Sequence, residues 1–376
     1  MRIGIDVRPA LLSRSGISRY AAELARAVAA LQSGTEVALY GDSWTRPLDE
    51  HRLREVASWP RTTLARRKFP ARLAARLGLA ADARLGGVDV FHHTDYVFAP
   101  IARARQVVTI HDLAFERDPA FHGADFRRDV GARLRAAIAN AAFVVVPSAS
   151  TRDDVLAWQY APSERIRVVP HGCEHVARDA ALGARELDAI LGAGTLREPF
   201  VLAVGTIEPR KNHASLLDAF DALGPDAPQL VVAGAYGWSC DVVMRRIQAE
   251  RRTGRIVHLP DASDGLVAAL YGRALAAVYV SAHEGFGLPV LEAMAAGAPV
   301  LTTRAGALAE VGGDAVLACD PTDPASIVEG LACLLGSSTL RQDLAARAKA
   351  RAARFSWTES ARSHVEVWRA AAELAS

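Results

Sequence analysis

Charge of one sign is what this sequence most lacks. Its 44 Lys and Arg are set against 42 Asp and Glu, a formal net charge of +2 over 376 residues. No global field of the kind that gathers nucleic acid is present. Cysteine is scarce as well. Cys173, Cys240, Cys319 and Cys333 are scattered with no Cys-x-x-Cys pair, which argues against a zinc site or a disulfide framework and fits a reducing cytosol. Long hydrophobic runs are missing: apolar stretches such as Phe143–Val146 have the length of a strand, far short of a membrane span. A strand pattern begins at Arg2, so no signal peptide is expected. There is no short-period repeat and no low-complexity tail.

What remains is a chain that is 51% hydrophobic and 23% charged, the balance of a globular protein, and long enough for two domain cores. Short β-rich runs alternate with helical patterns. In the first half, strands are predicted at Arg2–Val7, Glu36–Tyr40, Val88–His92, Gln106–His111, Phe143–Ser148 and Ile166–Pro170, with helices at Ile17–Leu31, Asp125–Asn140 and Thr151–Trp158. In the second half, strands are predicted at Phe200–Val204, Gln229–Gly234, Ile256–Pro260, Ala276–Ser281 and Pro299–Thr303. Helices lie between them at His213–Leu223, Asp241–Arg252, Ser263–Ala269 and Pro289–Ala296. Near-continuous apolar strands separated by helices predict parallel sheets covered on both faces. The fold class is therefore α/β, with two doubly wound Rossmann-like domains facing a cleft at their strand C-terminal ends. The Ala- and Gly-rich stretch from about Cys173 to Glu198 reads as the break, giving domains at 1–175 and 198–355.

The segment HEGFGLPVLEAMAAGAPVL (283–301) carries two glutamates, Glu284 and Glu292, around a glycine turn in an otherwise apolar run. Pro289 suits a first helical turn, because it has no N–H to leave unpaired, and Gly297 followed by Pro299 is a helix stop. Gly285 and Gly287 let the backbone approach a ligand at that helix start, where exposed amides favour an anion such as phosphate. Carboxylates in those places can accept hydrogen bonds from sugar hydroxyls, although a Glu in a first helical turn is also simply stabilising.

The whole string resembles the E-x7-E signature of the retaining glycosyltransferases of family 4, which have the GT-B fold. Four other segments agree: AVGTIEPRKN (203–212), VTIHDLAF (108–115), RSGISRY (14–20) and VVPHGC (168–173), the last with His171 where the family more often has Asn. The resemblance implies that Glu284 binds hydroxyls of a donor sugar and Glu292 the ribose of its nucleotide. Backbone amides of Phe286, Gly287 and Leu288 would touch sugar and phosphate. Arg210 and Lys211, beside the turn at Gly205, would neutralise the leaving diphosphate. Gly16 would let the first-domain loop approach that diphosphate, and the backbone of Leu259–Asp261 would meet the base. His111 would bind the transferred sugar, its ring oriented by Asp112.

An enzyme that releases a diphosphate must neutralise developing charge with a metal or with fixed cations and amides. No Asp-x-Asp triplet of the metal-dependent kind occurs here, so metal independence and no cofactor are expected. Two carboxylates can support retention through a covalent intermediate, but the resemblance implies a front-face displacement in which the leaving phosphate helps deprotonate the acceptor. Overall similarity of the TIHDLAF region to bacterial mannosyltransferases of surface-polysaccharide assembly implies GDP-mannose as donor; glucose, N-acetylglucosamine and rhamnose donors stay open. A catalytically silent nucleotide-sugar-binding protein and the related epimerases and phosphorylases are the rival readings. The basic stretch 61–77 is expected to form a charged helix, either solvated or docked on an anionic membrane where a lipid-linked acceptor lies. A helix near Thr358–Leu374 is expected to pack back onto the first domain. The expected location is cytoplasmic, with a peripheral place on the inner face of the cell membrane if the stretch 61–77 docks there.

Overall fold

A computed structural model describes residues 1–31, 34–43, 47–66 and 79–374. It divides into two units, 1–172 with 356–376, and 173–355. Among the described residues, the first unit is built on a parallel sheet of seven strands in the order β3-β2-β1-β4-β5-β6-β7. These are β1 (Arg2–Asp6), β2 (Glu36–Tyr40), β3 (Thr62–Ala65), β4 (Val90–His93), β5 (Arg105–Thr109), β6 (Ala141–Val146) and β7 (Ile166–Val168). The second unit carries a parallel sheet of six strands in the order β10-β9-β8-β11-β12-β13. They are β8 (Phe200–Val204), β9 (Gln229–Ala233), β10 (Ile256–Leu259), β11 (Ala276–Tyr279), β12 (Val300–Thr303) and β13 (Leu317–Cys319). Val201, Leu230, Val232 and Val278 are at most 2% exposed and form one core with Leu216, Phe220 and Ile327 from the covering helices. Each such side chain contributes about 1.5–3 kcal/mol on burial. Strand order reverses between β1 and β4 in one unit and between β8 and β11 in the other. Such switch points are where doubly wound sheets bind ligands.

Two expectations need correction, and some elements had none. The stretch from about Cys173 to Glu198 is not a break: most of it is the 18-residue helix His175–Gly192 of the second unit. Alanine is the strongest helix former, and Val176, Asp179, Gly183 and Leu187 supply a buried face at helical spacing. The basic stretch 61–77 does not begin as a helix. Thr62–Ala65 pairs with β2 in register Val37↔Thr62 to Tyr40↔Ala65, as adjacent threonines favour; residues 67–78 lie outside those described. The strand β13 and the helices Pro324–Gly336 and Ser338–Ala352 carry no sequence prediction at all. No helix among the described residues is long and apolar enough to cross a membrane.

The helix Trp357–Glu373 belongs to the first unit, with Val365, Val367 and Trp368 buried. A chain of hydrogen bonds fastens it. The Trp368 indole N–H donates to His92 Nδ1 (3.2 Å), His92 Nε2–H to Thr109 Oγ1 (2.7 Å), and the Thr109 hydroxyl to Tyr20 Oη (2.8 Å). Tyr20 then donates to His364 Nε2 (2.9 Å), and His364 Nδ1–H to the Ser360 carbonyl (2.7 Å). Because an indole can only donate and a carbonyl only accept, the proton of His92 is on Nε2 and His364 carries one on Nδ1; burial keeps His364 neutral.

Candidate active site

At the switch point of the second sheet, two strand ends meet. After β8 the chain turns at Gly205 and runs through a 3-10 turn, Pro209–Lys211. After β11 it runs through Ser281 to the helix Leu288–Ala296. The amide of Ala282 donates to the carbonyl of Arg210 at 2.9 Å, tying the two loops together. Gly287 precedes that helix at φ +100°, and a Cβ there would stand 2.5 Å from Leu308 Cδ2, so only glycine fits. Pro289 sits in the first turn, and Gly297 ends the helix at φ +83°, as the sequence pattern predicts.

Glu284 is the centre of this meeting. Its Oε1 accepts from Lys211 Nζ (2.6 Å) and from the Tyr279 hydroxyl (3.0 Å), while Oε2 pairs with an Arg210 guanidinium nitrogen at 2.7 Å. Lys211 also reaches the Tyr279 hydroxyl. Arg210 donates further to the His283 carbonyl (3.0 Å) and to Glu208 Oε1 (2.7 Å). The side chains of Glu284, Lys211 and Arg210 are only 9%, 12% and 14% exposed. Burial works to raise the Glu284 carboxyl, but Arg210 and Lys211 outweigh it and hold the pKa at about 2. Burial, joined by the charge of Arg210, lowers the Lys211 ammonium from its ordinary value. Burial raises the Glu208 carboxyl against the pull of the same two cations. Two cations and two carboxylates thus share one poorly solvated corner. Glu208 and Tyr279 are members that the sequence reading missed: Glu208 pairs with Arg210 two residues along the same loop, inside the segment AVGTIEPRKN, whereas the contact of Tyr279 with Lys211 joins two strand ends.

The remaining residues fall elsewhere in the two units. Glu292 lies in the Leu288 helix, bonded through Oε1 to His175. Phe286 is buried edge-on against Phe355, with centroids 5.9 Å apart, and Leu288 is buried beside it in sequence. Leu259 ends β10, and its carbonyl accepts from the Gly234 amide at 3.1 Å.

In the first unit, Gly16 opens the helix Gly16–Ala30 behind the cap Ser15, whose side chain accepts from the Ser18 amide. His111 follows β5, near the switch point of the first sheet. Its Nε2–H donates to the Thr94 carbonyl (2.9 Å), so the imidazole lone pair is on Nδ1, suited to accept from a hydroxyl. Burial lowers its pKa against the favourable Thr94 carbonyl and the charges of Asp95 and Asp112, which keeps the ring neutral. Asp112 does not orient it: that carboxylate accepts from the Ala114 amide at 3.0 Å, and the ring is held by Thr94 instead. His171, standing where the family more often has Asn, is buried and stacked on Trp357 at 5.4 Å.

Residues 14–175 match the family described as Glycosyltransferase Family 4, and residues 193–351 match the one described as Glycosyl transferases group 1. The chain is 30% identical over 371 residues to the O-antigen chain mannosyltransferase B of Escherichia coli, covering 95% of this chain and 96% of that protein. It is 27% identical over 391 residues to the D-inositol 3-phosphate glycosyltransferase of Xylanimonas cellulosilytica, covering 96% of this chain and 93% of the other. Anabaena HepE, solved in complex with UDP-glucose, superposes with a TM-score of 0.73 at 18% identity, over 98% of this chain and all (100%) of that one. This last likeness is one of fold, the GT-B arrangement of two Rossmann-like units.

Proposed function

The chain belongs to glycosyltransferase family 4, and from that premise we propose that it is a retaining, metal-independent hexosyltransferase. It moves mannose from GDP-mannose to a saccharide or lipid-linked saccharide acceptor. The observation that carries this reading is the Glu208–Arg210–Lys211–Tyr279–Glu284 cluster at the β8/β11 switch point. With all charges ionised it is neutral, so Glu284 occupies the cations until a donor arrives. The donor diphosphate takes over Arg210 and Lys211, and the released Glu284 carboxylate accepts from sugar hydroxyls. Charge that builds on the leaving diphosphate then meets two cations already fixed in place, which lowers the barrier without reorganisation. Glu292 serves the ribose, the amides of Phe286, Gly287 and Leu288 serve the sugar and phosphate, and Gly16 serves the diphosphate. The neutral His111 accepts from a hydroxyl of the transferred sugar at Nδ1. Acceptor deprotonation falls to the leaving phosphate, and the protein contributes positioning.

Mannose is supported by the Escherichia coli relative, which is similar along nearly its whole length. A second reading, a UDP-sugar donor, draws on HepE, solved with UDP-glucose. Thermal-shift screening against GDP-mannose, UDP-glucose, UDP-N-acetylglucosamine and dTDP-rhamnose, followed by radiolabel transfer to lipid extracts, separates the two. GDP-mannose is expected to stabilise the protein most and to be the donor consumed. Product with inverted anomeric configuration, or activity lost to chelator and restored by manganese, overturns the retaining or the metal-independent part. Membrane docking through residues 61–77 is tested by vesicle co-sedimentation of wild type against Arg66, Arg67, Lys68 and Arg72 changed together to Glu; equal sedimentation removes it.

A further inference from the structure

Glu292 is not alone. Its Oε1 accepts a hydrogen bond from Nε2 of His175 at 2.9 Å. A carboxylate oxygen at that distance takes the imidazole proton as acceptor, which fixes the proton on Nε2. His175 is 1% exposed, whereas the Glu292 side chain is 14% exposed. The donor is therefore locked in packing, and the acceptor reaches the surface. His175 begins the helix His175–Gly192, and that helix packs against the Leu288–Ala296 helix that carries Glu292. Free, a carboxylate on a helix samples several rotamers; held by one buried N–H, it presents its second oxygen in one direction.

We propose that His175 is a positioning residue, holding Glu292 by Oε1 so that Oε2 meets the ribose hydroxyls of the bound nucleotide. The inference rests on the reading of Glu292 as the ribose contact, and it adds a residue from a helix outside the E-x7-E segment. It also gives the helix His175–Gly192 a part in donor recognition. A residue that merely fills space would affect every ligand alike, whereas a residue that aims Glu292 affects only those ligands with hydroxyls for Glu292 to meet.

Calorimetric titration of GDP and UDP, each against its 2′-deoxy and 3′-deoxy counterparts, makes that distinction in the full chain. Wild type is expected to prefer the ribonucleotide. In His175→Ala that preference should fall about tenfold, the scale of one hydrogen bond to a charged group, while affinity for the deoxynucleotide lacking the contacted hydroxyl stays unchanged. His175→Gln, which keeps an N–H donor, should recover part of it. If His175→Ala does not fold, His175→Leu carries the same comparison. Equal weakening of ribo- and deoxynucleotide binding, or full preference kept without His175, overturns the proposal. Glu292→Gln separates the premise from the inference. If Glu292→Gln loses the preference and His175→Ala keeps it, only the positioning role fails. If Glu292→Gln keeps it, the ribose reading of Glu292 fails and takes the proposal with it.

Discussion

Glu284 holds two cations with one carboxylate, and that defines what its removal does. In Glu284→Ala, Lys211 and Arg210 both lose the Glu284 carboxylate, while Arg210 keeps Glu208 and the His283 carbonyl. Breaking a buried pair costs about 3–5 kcal/mol, so the variant should melt several degrees lower as well as lose transfer. Pyrophosphate should then stabilise Glu284→Ala more than wild type, because the cations no longer have to leave a carboxylate to bind it. A smaller pyrophosphate shift in the variant, read by differential scanning fluorimetry, would contradict the exchange of partners. Arg210→Ala and Lys211→Ala should each lower turnover at saturating donor by about tenfold or more, the scale of one lost charge stabiliser. Turnover within twofold of wild type in both would remove them from the chemistry.

Between elements, the helix His175–Gly192 crosses the helix Asp264–Arg273 at backbone contact. A Cβ on Gly183 would stand 2.0 Å from the backbone of Gly265. Backbone cannot swing aside as a side chain can, so Gly183→Ala must push the helices apart, and overpacking of this kind costs at least about 1–3 kcal/mol. Urea denaturation of Gly183→Ala should show that loss, with Gly192→Ala, where a Cβ meets nothing within 4 Å, close to wild type. In the first unit the corresponding fastener is polar. Trp368→Phe keeps an aromatic ring, though a smaller one, and removes the indole N–H, leaving His92 Nδ1 buried without its donor. A buried acceptor left unmet costs about 1–3 kcal/mol.

For the molecule as a whole, buried neutral histidines set the response to acid. Burial lowers His92 well below its ordinary value, and lowers His93, His213 and His364 to about 4. The unfolded chain, with histidines near 6.5, binds more protons than the folded one between about pH 4 and 6.5, so stability rises with pH across that window. The contribution is whole above pH 6.5 and lost progressively as pH falls through 4. For His364 alone the fall from 6.5 to about 4 corresponds to roughly 3 kcal/mol. Glu284 acts in the same direction at lower pH: its pairing is whole above its ordinary 4.5 and lost toward about 2. The melting temperature should therefore be flat above pH 7 and drop steeply from 6.5 to 4. A melting temperature unchanged down to pH 5 would show that these histidines are not held neutral by the fold.

The alternation of apolar strands with helices was enough to determine the α/β class, because a strand buried on both faces has few other ways to read than as a continuous apolar run. It was likewise enough for the turn, first-turn proline and terminal glycine around Leu288–Ala296, since those depend on φ and on a missing N–H, properties of single residues. The pairing of Glu284 with Arg210 and Lys211, 74 and 73 positions earlier in the chain, was decided only when β8 came to lie beside β11. Tertiary structure likewise decided the contact of Tyr279 with Lys211, Thr94 in place of Asp112 on the His111 ring, and His175 under Glu292. Composition misread 173–198 as a break because alanine and glycine are silent about partners. Ala-rich sequence becomes a helix, and Gly183 becomes a contact rather than a hinge, only when another backbone is there to pack against it.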